Sequence, residues 1–140
     1  MGKVEFNSEV LIIPGLGNSG EQHWQTRWEK KYGFNRIEQS DWNQPDKQSW
    51  VNALEKQLSA IADKPIILVA HSLACITTAL WASEFSKKIK AALLVAPADT
   101  EASAIPKEIT AFTPIPLQRL PFKSIVVAST NDQYISLERA

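Results

Sequence analysis

The sequence predicts a single α/β domain over residues 1–140, built as three layers: a mostly parallel sheet with helices on both faces, and incomplete at its carboxyl-terminal end. Two observations carry this. Short, continuous apolar runs of strand length recur along the chain, at Val10–Ile13, Ile66–Ala70, Ala91–Val95 and Ile125–Ala128. Such runs mark strands buried on both faces, because a half-exposed strand alternates instead. Stretches of helical periodicity lie between them, and strands that alternate with helices pair in parallel with the helices packed across them.

Taken in order, Val10-Leu11-Ile12-Ile13 ends at Pro14-Gly15 and opens into a glycine-rich loop. Gln22 to Tyr32 carries Trp24 and Trp28 four apart, a helix with one apolar edge. Asn35 to Gln39 reads as a short strand. Ser49 to Ile61 sets Trp50, Ala53, Leu54, Leu58 and Ile61 on one helical face, and Asp63-Lys64-Pro65 stops that helix. Ile66-Ile67-Leu68-Val69-Ala70 is the clearest strand, followed by a helix over Leu73–Phe85 and the strand Ala91–Val95. Pro97 to Phe122 holds Pro106, Pro114, Pro116 and Pro121, so it is expected to be irregular and to cover part of a site.

Composition narrows the function classes. With 140 residues, 44% of them hydrophobic, the chain can build one core. Fifteen basic and fifteen acidic residues give zero formal charge, which leaves no field to draw nucleic acid or an anionic membrane. The apolar runs are too short to span a bilayer. Cys75 is the single cysteine and no apolar leader precedes it, so a cytoplasmic location is expected. Met1-Gly2-Lys3 with Phe6 lacks the pattern of a myristoylation signal.

The strand ending at Ala70 runs into His71-Ser72-Leu73-Ala74 and a helix, a small-x-Ser-x-small turn that matches a nucleophile elbow. Small flanking residues let strand and helix approach while the serine takes a strained backbone and the Leu73 N–H points at a forming oxyanion. A plain helix N-cap is the competing reading of Ser72. The loop Pro14-Gly15-Leu16-Gly17-Asn18-Ser19-Gly20 suits a second oxyanion donor. It also fits the dinucleotide pattern G-x-G-x-x-G, with Glu38 near the place of a ribose-binding acid, although Pro14 is awkward for that turn. Glu21 stands where a phosphate-binding loop needs lysine. Asp132 follows the last strand, where the acid of a serine triad comes in chain order, and turn formation is its competing role. The histidines are His23 and His71; neither follows the acid, and His71 is expected to point away from the serine hydroxyl. Trp24, Trp28, Trp42, Trp50 and Trp81 read as packing residues, with Trp24 able to wall a pocket beside His23, and Cys75 reads as a small buried hydrophobe.

These residues resemble the small serine hydrolases related to retinoblastoma-binding protein nine. The similarity lies in P-G-L-G-N-S-G-x-x-H-W-Q near the start, the H-S-L-A elbow, V-A-P-A after the Ala91–Val95 strand and A-S-T-N-D-Q-Y near the end, and it spans nearly the whole chain. The resemblance implies an α/β-hydrolase-like fold with little or no lid. It implies Ser72 as nucleophile, Asp132 as acid, Gly15, Leu16, Gly17 and Asn18 with Leu73 as the oxyanion environment, and His23 with Trp24 as a site-lining pair. In the family the base lies on a Gly-His motif one helix past the acid, and here no histidine follows Asp132. The expectation is therefore a fragment of a longer product, acting when complete on a small ester or amide through an acyl-enzyme, with no metal or organic cofactor. A catalytically silent binding module and a nucleotide-binding protein are the alternatives. A bare Ile125–Ala128 edge is further expected to promote self-association.

Overall fold

A computed structural model describes residues 7–61 and 63–140. Met1, Gly2, Lys3 and Phe6, on which the reading of the amino terminus rests, lie outside the described residues. The elements are β1 (Glu9–Ile13), α1 (Trp24–Tyr32), β2 (Asn35–Arg36), α2 (Lys47–Ser59), β3 (Ile66–His71), α3 (Leu73–Glu84), β4 (Ala91–Val95), a 3-10 turn over Lys107–Ile109, and β5 (Lys123–Val127). The strands form one sheet in the order β2-β1-β3-β4-β5, with every neighbouring pair parallel. The expected α/β architecture is therefore present.

Strand alternation divides the apolar side chains into two cores. Leu11, Ile13, Ile66, Leu68, Ala70, Ala92 and Leu94 pack toward α2 and α3, around fully buried Trp50, Leu54 and Leu58. Val10, Ile12 and Val69 face the other way, toward Trp24 and Phe34. α2 starts two residues before its expected boundary because the Asp46 carboxylate caps it, accepting the Ser49 N–H at 2.9 Å.

α1 departs from the expected pattern. Its buried residues are Gln25 and Thr26, whereas Trp28 is exposed and stacks edge-on against Trp24 at 5.0 Å. The Gln25 amide, 0% exposed, donates to Ile13 O at 3.1 Å and to Val69 O at 3.0 Å and accepts from Ser19 Oγ at 2.6 Å. This side chain ties the carboxyl ends of β1 and β3 to the helix across them. A buried amide with all these partners replaces the apolar contact that periodicity would place there.

The sheet is unevenly covered. α2 and α3 protect one face, but α1 shields only the β1–β3 half of the other, and all five residues of β5 are exposed, with Ile125 at 67%. A strand so placed presents unpaired N–H and C=O groups along one side. Truncation should reflect this contrast. Leu68→Ala in β3 is expected to cost about 2–5 kcal/mol in urea unfolding, whereas Val126→Ala in β5 should cost under about 1 kcal/mol.

Candidate active site

Parallel strands in the order β2-β1-β3 reverse direction of growth beside β1, and ligand sites of open α/β sheets form at such a switch, beyond the carboxyl ends of the strands. The loops after β1 and β3 meet there. Ser72 joins β3 to α3 with φ 56° and ψ −120°, a left-handed backbone that L-residues rarely adopt. Among the described residues the other non-glycine positions of positive φ are Asn18 and Ala96, so Ser72 is the serine held in this way. It stands at the N-cap position of α3 yet makes no side-chain cap, which leaves its hydroxyl uncommitted to the helix. Its N–H donates to Val95 O at 3.0 Å and its carbonyl accepts from Ala98 N at 3.3 Å. The flanking Ala70 and Ala74 are both fully buried, where larger side chains would push strand and helix apart.

The loop after β1 lies directly against this turn. A Cβ added at Gly15 would stand 2.9 Å from His71 O, 3.2 Å from Leu73 N and 3.2 Å from Ser72 Cβ. No other residue type fits without shifting backbone. Farther along, the Gly17 N–H is spent on Trp42 O at 2.7 Å and the Asn18 N–H on Gly15 O at 3.1 Å. Leu16 N–H and Leu73 N–H meet no acceptor among the described residues, so both are spare donors beside the elbow. Gly17 serves the loop's shape, at φ 76°. The dinucleotide reading of the same glycines fits poorly: the following helix begins only at Trp24, and the first glycine is pressed onto the elbow instead of facing a ligand.

His23 caps α1, its Nδ1 accepting the Gln25 N–H at 3.1 Å. That bond places the ring proton on Nε2, making the outer edge a donor. Burial, and then the Arg36 guanidinium, hold the His23 pKa below its ordinary value. His71 does more than pack. Its ring meets His23 edge-on at 4.6 Å and Trp24 at 6.1 Å, and it lines the same cleft as Ser72. Its pKa is pushed down to about 4, first by burial and then by His23, with the Asp132 charge acting the other way. As the last residue of β3, His71 thus lines the cleft as well as packing against the residues of α1 and its cap. Trp24 stands behind the two imidazoles as their wall.

The cleft has a volume of about 280 Å³ and is bounded by Gly15, Leu16 and Asn18 on one side and by His23, His71, Ser72 and Leu73 below. Ala98, Pro106, Ile109 and Tyr134 complete it. The irregular segment after β4 therefore does cover part of it. Those last four residues had no local signal, because proline-rich and post-strand loops reveal their partners only once folded. Asp132 is half-buried beyond β5, near enough to act on His71, and its carboxylate accepts the Tyr134 N–H at 2.8 Å. Cys75 is buried with its thiol toward Val95 O at 3.6 Å, and burial raises its pKa, so it contributes no thiolate. Larger hollows of about 680 and 710 Å³ lie at the amino ends of β3 and β4 and on the bare β4–β5 face, and Ser72 lines neither. Among the described residues no group of three or more His, Cys, Asp or Glu side chains gathers to hold a metal, and no helix is long and apolar enough to cross a membrane.

A family model described as serine hydrolase matches residues 10–140. The chain belongs to the serine hydrolase family. Among solved structures this serine hydrolase is similar to one described as a YdeN-like hydrolase from Pectobacterium atrosepticum, at 30% identity and a TM-score of 0.81 over 95% of this chain and 69% of that one. It is also similar to one described as a hydrolase of the α/β superfamily from Xanthomonas campestris pv. campestris, at 16% identity and a TM-score of 0.57 over 93% of this chain and 76% of that one, a likeness of fold alone. No curated protein matches the serine hydrolase chain.

Two outcomes follow for this serine hydrolase. Gly15→Ala should destabilise it by about 1–3 kcal/mol, because the new methyl meets backbone that cannot swing aside, and should displace the Leu16 N–H from the elbow; thermal unfolding reads the first effect. The His71 pKa lies below that of an unfolded chain, near 6.5, so between pH 6.5 and about 4 the unfolded state binds more protons and stability falls on acidification. His71→Leu should flatten that slope by on the order of 1–2 kcal/mol, after allowing for solvent at the partly exposed ring, as measured by urea unfolding at pH 7 and pH 4.5.

Proposed function

We propose that this serine hydrolase cleaves small, uncharged esters or amides through an acyl-enzyme on Ser72, with Asp132 as the acid of the site. The observation that carries the reading is the left-handed backbone of Ser72 beside the spare N–H groups of Leu16 and Leu73. In the proposed step the Ser72 Oγ attacks the scissile carbonyl carbon, the carbonyl π pair moves onto oxygen, and the hydroxyl proton passes to solvent water, from which the leaving group is later reprotonated. The two backbone N–H groups donate hydrogen bonds to that developing oxyanion from fixed positions, without reorganisation. Collapse then expels the alkoxide or amine, which takes up a proton, and water later releases the acid.

The cleft supports the choice of substrate class. A volume of about 280 Å³ admits a short acyl group. Leu16, Leu73, Ala98, Pro106 and Ile109 offer it apolar walls, while the neutral His23 edge and Asn18 offer polar contacts. No free cation lines the cleft among the described residues, which argues against an anionic substrate.

The weak point is the base. His23 has Nδ1 committed and a proton on Nε2, and His71, its pKa pushed down to about 4 by burial, is a poor proton acceptor at neutral pH. With no histidine after Asp132, the 140-residue chain should acylate slowly and favour activated esters. Loss of one triad member leaves about 10³-fold catalysis over water from binding and the oxyanion donors. The lone buried Cys75 accords with a cytoplasmic setting.

The test is mass spectrometry after exposure to a fluorophosphonate and to p-nitrophenyl acetate. A single adduct on Ser72 is expected, formed over hours, and absent from Ser72→Ala. Complete absence of adduct in the parent chain would instead favour a binding module that keeps the hydrolase fold.

A further inference from the structure

We infer that Arg139 is a positioning residue: its fork onto Asp99 fixes the loop bearing Asp132 and Tyr134 over Ser72. The segment after β5 has little burial to hold it, since from Ser129 onward Ile135 is the buried side chain and Asp132 is half-buried. One apolar anchor sets a position but leaves the segment free to turn about it. Direction comes from polar contacts, and these converge on four consecutive residues after β4.

Ala98 N–H donates to Ser72 O at 3.3 Å, and Asp99 N–H donates to Tyr134 O at 2.9 Å. Thr100 Oγ1 donates to Phe112 O at 2.7 Å, and the Glu101 carboxylate accepts the Ile115 N–H at 3.1 Å. Neighbouring residues thus grip the elbow, the acid-bearing loop and the proline-rich segment that roofs the cleft. Arg139 closes the arrangement. Its Nε and one terminal nitrogen each lie 3.0 Å from an Asp99 oxygen, and the same terminal nitrogen lies 2.8 Å from Glu101.

The Asp99 side chain is 9% exposed, and a carboxylate so buried needs a cation with matching geometry. The planar guanidinium supplies two parallel N–H donors, which an ammonium cannot. Arg139 accordingly holds the Asp99 carboxyl below the usual carboxylate range. The role assigned to Asp132 rests on the proposed function; the clamp itself does not.

The experiment pairs amide hydrogen exchange with fluorophosphonate labelling in Arg139→Lys, which keeps the charge and loses the fork. Exchange at the Asp99 N–H should quicken about tenfold or more while that of Leu68 in β3 stays unchanged. Labelling of Ser72 should fall to the rate of Asp132→Asn, with the double variant no slower than Asp132→Asn alone. Asp99→Asn should reproduce the local exchange pattern. Unchanged protection at Asp99, equal acceleration at Leu68, or additive losses of labelling in the double variant would each overturn the clamp. A parent chain that never labels would count against the hydrolytic reading while exchange still decides the clamp.

Discussion

The site depends on a missing side chain. Gly15 lies so close to the carbonyl of His71 and the amide of Leu73 that a methyl group there would collide with backbone on two sides. Parallel pairing of β1 with β3 brings the loops after both strands to one rim, and the bare Cα lets them touch. Because they touch, the N–H groups of Leu16 and Leu73 become neighbours, and the strained Ser72 lies at their junction. The small Ala70 and Ala74 serve the same closeness from within the strand and helix.

A second layer holds that contact in place. The Gln25 amide of α1 donates to the last carbonyl of β1, Ile13 O, and to Val69 O in β3, joining the two strands whose loops build the elbow and its partner. His23, two residues before, spends its Nδ1 on the helix it caps. The same bond settles the helix start and the hydrogen-bonding sense of the imidazole facing the cleft. Arg36 then links β2 to this group, donating to Glu29, Asn18, Ser19 O and Thr26.

Much of this was legible in the residues, and the rest was hidden for identifiable reasons. Continuous apolar runs located β1, β3 and β4 to within a residue or so, since strands buried on both faces need them. β2 shrank from five expected residues to Asn35–Arg36, the two in register with β1, with one further bond from Ile37 N–H to Ile12 O and no strand on its outer side among the described residues. The elbow was readable because its demand for small residues is local. Gln25 escaped because periodicity counts apolar residues and passes over an amide whose bonds are satisfied across the fold. Tyr134 and the Asp99–Arg139 pair escaped because their contacts join distant stretches of chain, which no window of sequence contains. The Gly17 N–H, counted among the oxyanion donors by its loop, turns out to serve Trp42.

The uneven covering of the sheet has a consequence for the order in which the protein would come apart. Ser72 is rooted in β3, which has a strand on either side, α3 continuing directly from it and side chains packed on both faces. Asp132 follows β5, an outermost strand whose side chains largely face solvent. Opening free energies vary across a structure and are smallest where burial is thinnest. The two halves of the proposed chemistry therefore sit at opposite ends of the stability gradient, so heat or denaturant would detach the acid while the nucleophile still held its strained pose, and loss of function would run ahead of loss of fold.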